Sequence, residues 1–179
     1  LNISCPNVKE GGVNFGTSCD MVERVTGEVR RRLKKPLMVK LTPNVTNIGE
    51  IAAAAEAAGA DCVSLINTLT GMRIDIRTRR PILHNNTGGL SGPAVFPVAV
   101  RMVRDVYKRV KIPVVGLGGI ATWEDAAEMM IAGAAAVQVG TATFRDPFAM
   151  CKIIEGLESF AEKSGLTSIM ELTGTLQEW

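Results

Sequence analysis

The sequence has a single histidine, His84, and its four cysteines, Cys5, Cys19, Cys62 and Cys151, form no C-x-x-C pair. These shortages argue against a His-rich metal centre and against a zinc or iron–sulfur site held within the chain. Aromatic residues make up only 4% of the chain, too few for the stacking platforms that bind single-stranded nucleic acid. Charge of one sign is not in excess. A net charge of +2 supplies no field that would favour nucleic acid or an acidic membrane as partner. Long apolar runs are missing too. The longest candidate, AAAAEAAGA, is interrupted by Glu56 and falls short of the roughly 20 residues needed to span a bilayer. No charged-then-apolar secretory pattern stands in the sequence. With so few cysteines, the expected compartment is the reducing cytoplasm.

What is present is an ordinary soluble composition, 46% hydrophobic over 179 residues, which predicts one domain, 1–179, with a real core. Strand and helix signals alternate along it. Leu1–Ser4 reads as the end of a strand. The spacing of Met21, Val22, Val25, Val29 and Leu33 predicts a helix over 18–33. LMVKL is a short β run after Pro36. Asn47 caps a helix that Gly59 ends, with Glu50 placed as in a capping box. DCVSLINT is a buried strand. Residues 69–90, rich in Arg, Thr, Asn and Gly, break the rhythm and read as an inserted hairpin or loop. A helix follows over about 95–110, then the strand and turn IPVVGLGGI. Thr122 and Asp125 open another helix, AAAVQVGTA is a strand, and a final long helix starts at Pro147.

The strands near Cys62 and Ala136 are continuous apolar runs, each following a helix that ends in A-G-A. A parallel sheet covered by helices produces this pattern. The α/β class is therefore expected, either as a small open sheet complete in five strands or as part of a (β/α)8 barrel. The abrupt start LNISCPN favours the second. On that expectation the chain is a partial barrel, about the C-terminal five β/α units, with some three units before it.

Ligands in such folds sit at the carboxyl ends of the strands. Those ends offer Asn2, Ser4, Cys5 and Asn7; Lys40 and Thr42; Asn67 and Thr68; Gly118 and Gly119; and Gly140 and Thr141. Consecutive glycines let backbone N–H groups approach an anion closely, and the helix beginning near Thr122 would point its positive end there. The last two strand ends therefore read as a phosphate site, although tight turns alone would also use glycine. Lys40 interrupts an apolar strand, a costly position unless an anionic or electron-rich partner offsets the charge; an edge-strand lysine reaching solvent is the plainer alternative. Cys5 sits on a polar turn before Pro6, where a thiolate could act as nucleophile or base. Most cysteines are simply small buried hydrophobes, and Cys19, Cys62 and Cys151 are expected to be so.

The runs N-I-S-C-P-N, V-K-L-T-P-N-V, I-N-T, G-G-L-S-G-P-A, G-L-G-G-I and V-G-T-A, in this order over nearly the whole chain, resemble the dihydroorotate dehydrogenases. The cysteine in the first run is similar to the class 1 form, and N-N-T-G-G-L-S-G-P-A to the NAD-linked type. The flavin domain of dihydropyrimidine dehydrogenase shares much of the pattern. The resemblance implies FMN in a (β/α)8 barrel and oxidation of (S)-dihydroorotate to orotate in pyrimidine biosynthesis. It implies Cys5 as the general base at C5 of the substrate. Asn2, Asn7, Asn67 and Thr68 would hold the pyrimidine, with Asn2 also near the flavin. Lys40 would stand at the flavin N1/O2 edge, Ile66 and Gly92 along the flavin, and Gly118, Gly119, Gly140 and Thr141 at its phosphate. The implied partners are a second copy of the chain and an electron-transfer subunit carrying FAD and a [2Fe–2S] cluster. A non-redox barrel binding a phosphorylated metabolite would need the glycine sites but not Cys5 with its two asparagines, and a half-barrel without activity is a third alternative.

Overall fold

Short apolar runs that are buried on both faces can only be satisfied between other layers, and Cys62–Leu65 and Val114–Leu117 are of this kind, whereas Ala136–Gln138 has Ala136 and Gln138 exposed. A computed structural model describes residues 1–4 and 15–179. Helix α1 (Cys19–Arg32) leads to strand β1 (Met38–Lys40), then α2 (Ile48–Ala57) and β2 (Cys62–Leu65). Four short strands follow: β3 (Leu69–Gly71), β4 (Ile74–Asp75), β5 (Arg80–Pro81) and β6 (Gly88–Leu90). The chain then runs through α3 (Phe96–Tyr107), β7 (Val114–Leu117), α4 (Trp123–Ala132), β8 (Ala136–Gln138), α5 (Ala142–Arg145) and α6 (Ala149–Ser164).

Strands β1, β2, β7 and β8 form one parallel sheet in that order. Asn2 adds a fifth position by a parallel bridge to Lys40. The Leu1 amino group donates to Met38 O at 2.7 Å, and Lys40 N–H donates to Leu1 O at 2.9 Å. Five successive segments thus lie side by side in chain order, with no reversal of strand order. The helices follow suit: α1 packs on α2, α2 on α3, α3 on α4, and α4 on α6. A doubly wound sheet reverses its order at a switch point, whereas a barrel does not. The arrangement is therefore a stretch of barrel wall, sheet inside and helices outside.

The core lies between these layers. Val39, Leu41, Val63 and Leu65 from the sheet side meet Val22, Val103, Val106 and Met129 from the helices, all fully buried. Local chemistry sets the helix ends. Asn47 Oδ1 accepts the Glu50 N–H, and Thr122 with Asp125 forms a complete capping box. The final helix begins at Ala149 rather than at Pro147, and the single turn α5 stands before it. Four residues carry no readable period, so this turn was not expected.

Residues 69–90 form two small antiparallel ladders, β3 with β6 and β4 with β5. Beyond α6 the chain returns along α4. Gly174 N–H donates to Met130 O, Leu176 N–H to Ile131 O, and Thr173 Oγ1 to Ala134 O. Among the described residues, no helix is long and apolar enough to cross a membrane.

Candidate active site

Because the principal strands are parallel, their carboxyl ends share one edge of the sheet. Two adjoining clefts open along it. One, of about 260 Å³, is lined by Lys40, Ile66, Asn67, Thr68, Gly118 and Gly119, among others. The other, of about 250 Å³, is lined by Gly92, Gly119, Ile120, Gly140, Thr141 and Arg145, among others. Gly119, Gly140 and Thr141 border both. Nine of the residues singled out from the sequence are thereby brought together. Asn2 stands beside Lys40 in the sheet and does not line either cleft. Cys5 and Asn7 lie outside the described residues.

The glycine turns are built for close approach. Gly119 has φ +81°, and a Cβ there would fall 2.8 Å from Gly92 O and 2.8 Å from Phe96 Cβ. A Cβ on Gly140 would meet no atom within 4 Å, so that face is bare toward the cleft. Within the described residues, the N–H groups of Gly119, Ile120, Gly140 and Thr141 make no hydrogen bond. Ile120 is itself buried, and buried N–H groups are seldom left unpaired. Four orphan donors around one cleft fit an anion such as a phosphate. Asp125 Oδ2 already accepts the N–H groups of Ala121 (2.8 Å) and Thr122 (3.0 Å).

Lys40 is half-buried at the end of β1, and among the described residues it makes no ion pair. Its charge is left for whatever enters the cleft. Asn67 Nδ2 donates to Ser4 Oγ at 2.7 Å, and Ser4 Oγ donates to Asn2 Oδ1 at 2.7 Å. Ser4 thus links two asparagines that come from different strand ends.

Several supporting residues were not singled out from the sequence as site residues. Asn44 Nδ2 donates to Thr42 Oγ1 and to Thr68 O, both at 3.1 Å, while its Oδ1 accepts the Thr70 N–H at 2.9 Å. It fixes the backbone of Thr68 and roots the β3 ladder. Thr141 Oγ1 donates to Ser91 Oγ at 3.1 Å. Both Asn44 and Ser91 belong to the quoted runs V-K-L-T-P-N-V and G-G-L-S-G-P-A, which was the only signal available. The other cysteines divide. Cys62 is half-buried, and burial, helped by the Asp61 charge, pushes its thiol up. Cys19 is also half-buried, but Cys151 is exposed, contrary to expectation. It sits on the outer side of α6, where no layer covers it. Among the described residues, no cluster of His, Cys, Asp and Glu could hold a metal ion.

A family model described as dihydroorotate dehydrogenase matches residues 1–161. Similar curated proteins are the catalytic subunits of dihydroorotate dehydrogenase B (NAD(+)) from Alkaliphilus oremlandii and Geotalea uraniireducens. Each is 58% identical over 176 residues, covering 98% of this chain and 58% of the relative. The subunit from Bacteroides fragilis is 56% identical over 177 residues, covering 99% and 58%. Among solved structures, DHODH from Eimeria tenella in complex with ferulenol aligns with a TM-score of 0.80 at 25% identity. That alignment covers 97% of this chain and 52% of the other. The chain spans a little under three-fifths of the length of the curated relatives it matches.

Proposed function

The chain belongs to the dihydroorotate dehydrogenase family, and from that premise we propose that it oxidises (S)-dihydroorotate to orotate with FMN, in pyrimidine biosynthesis. The observation that carries this reading is the single edge where Lys40, Asn67 and Thr68 meet two glycine turns with orphan N–H groups. A flavin mononucleotide needs both halves of such a site, a cradle for its phosphate and a polar wall for its ring.

In this reading the N–H groups of Gly119, Ile120, Gly140 and Thr141 hold the phosphate, and Gly92, Gly118 and Ile66 line the ring. When bound, FMN supplies the capacity to accept two electrons from a C–H bond of the substrate. The rest falls to the chain's own residues. Cys5 takes the proton from C5 of dihydroorotate as general base. Asn2, Asn7, Asn67 and Thr68 orient the pyrimidine, and Lys40 lends a positive charge that favours an anionic group in the cleft. The names of the relatives support an NAD(+)-linked enzyme whose chain acts as a catalytic subunit. We therefore propose an electron-transfer subunit with FAD and a [2Fe–2S] cluster as partner, a homodimer of this chain, and the cytoplasm as compartment.

The test is an anaerobic flavin-reduction experiment. The full chain, purified with its partner subunit, should carry yellow flavin that dihydroorotate bleaches in a single turnover. Cys5→Ser should slow that bleaching at least about 100-fold at neutral pH, in the range by which general bases contribute. A preparation without flavin, or a flavin that dihydroorotate leaves oxidised, refutes the reading.

A further inference from the structure

Side-chain amides are ambiguous until a one-way donor fixes them, and here two backbone N–H groups do so. The Ser4 N–H can only donate, so the Asn2 atom 3.1 Å from it is Oδ1. The Thr68 N–H likewise makes the Asn67 atom at 2.8 Å its Oδ1. Asn67 must then turn Nδ2 toward Ser4, donating to its Oγ at 2.7 Å and its carbonyl at 3.2 Å. The Ser4 hydroxyl accepts there, so its single proton goes to Asn2 Oδ1 at 2.7 Å. The result is a one-way relay from Asn67 through Ser4 to Asn2. It joins positions 63 residues apart in the chain and passes over the strand that carries Lys40. Ser4 is 1% exposed, and its hydroxyl is used in both directions.

Asn2 Oδ1 accepts twice, from the N–H and the hydroxyl of Ser4, and Asn67 Oδ1 accepts once, from the Thr68 N–H. Asn67 Nδ2 donates to the Oγ and the carbonyl of Ser4, whereas Asn2 keeps its Nδ2 donors, which have no partner among the described residues. We propose that Ser4 is a positioning residue whose hydroxyl ties Asn67 to Asn2, in the orientation that the backbone N–H groups set, so that Asn2 Nδ2 meets an acceptor oxygen of the ligand. The inference rests on the pyrimidine-binding role given above to these two asparagines. A serine in this place is a tether between two strand ends. Without its hydroxyl, Asn67 loses its Oγ acceptor, Asn2 loses its 2.7 Å donor, and one backbone N–H alone is left to hold each amide oxygen.

The experiment uses the flavin-loaded full chain with orotate as probe. Ser4→Ala should raise the orotate Kd and the dihydroorotate KM by about tenfold, the effect of one good hydrogen bond to an oriented group. Ser4→Thr keeps the hydroxyl and should restore most of the affinity. Orotate bound equally well by Ser4→Ala and the parent overturns the proposal while leaving the function intact. A second readout needs no ligand. In the parent, one Asn67 side-chain amide proton should exchange slowly with solvent by nitrogen-edited NMR, and in Ser4→Ala it should exchange fast. Unchanged protection overturns the proposal. If the parent itself binds no orotate, the functional reading fails, and amide exchange still decides whether Ser4 locks Asn67.

Discussion

Lys40 and Asn2 are register partners in neighbouring parallel strands, tied by the hydrogen bond from Lys40 N–H to Leu1 O at 2.9 Å. The backbone of Lys40 is therefore held from both sides, by the first strand and by β2, while its ammonium group has no ion-pair partner among the described residues. A fixed stem under an unspent charge is a preorganised site for an anionic or electron-rich ligand. Lys40→Met keeps the apolar stem and removes the charge. It should weaken FMN binding by about 1.5–3 kcal/mol, the size of a hydrogen bond to a charged group. Flavin fluorescence titration of the apoprotein measures this, and an unchanged Kd would remove Lys40 from the flavin site.

The two glycine turns should respond differently to the same substitution. At Gly119 a methyl group would collide with Gly92 O and Phe96, and φ is +81°. Gly119→Ala should destabilise the apoprotein by more than about 1 kcal/mol, from the left-handed backbone alone. At Gly140 the methyl group meets nothing within 4 Å. Gly140→Ala should leave the apoprotein Tm unchanged and reduce FMN affinity, because the added atom enters the cleft. Paired thermal melts and flavin titrations separate the two effects. Equal melts for both variants would contradict the packing described for Gly119.

The carboxyl-terminal tail is fastened by charge. Glu178 accepts hydrogen bonds from Lys108 (2.9 Å) and Arg104 (3.1 Å), and these cations hold its carboxyl below the usual glutamate range. A depressed carboxylate stabilises the folded form above the free-chain value, and the contribution is lost as pH falls through the lower folded value. Acidification below the ordinary carboxylate range should therefore release the tail, and high salt should weaken it at neutral pH because the pairs are exposed. Hydrogen exchange at Leu176, whose N–H bonds Ile131 O, reports the release. Protection that does not change with pH would show that the backbone bonds alone hold the tail.

Thr26 Oγ1 is buried in α1 and has no hydrogen-bond partner among the described residues. An unpaired buried hydroxyl costs about 1–3 kcal/mol. Thr26→Val preserves the shape and removes the polar atom, so it should raise Tm by several degrees for a chain of this size. A lowered Tm would mean that the hydroxyl has a partner after all.

Much of this molecule could be read one segment at a time. The strands announce themselves as short apolar runs between turn residues, and Thr122 with Asp125 marks a helix start because both partners lie within one turn. The glycine pairs and Lys40 were visible because each departs from its surroundings. Other features were hidden. Asn44 and Ser91 work through partners 24 and 50 residues away, and nothing near them in sequence shows this.

The sequence by itself determined most of the segments that become strand or helix, the capped helix starts at Asn47 and Thr122, and which residues stand at the strand ends. Period, caps and backbone restrictions act over a few residues and need no tertiary partner. Only the tertiary structure decided that the strands add in chain order without reversal, which makes a barrel wall of what an alternating pattern leaves open. It also decided the polarity of the site. Ser4, Asn2 and Asn67 could bond in several ways, and the direction follows from which backbone N–H groups the sheet register places against them. Hydrogen bonds are short-ranged and directional, so their partners are chosen by register, after the chain has folded.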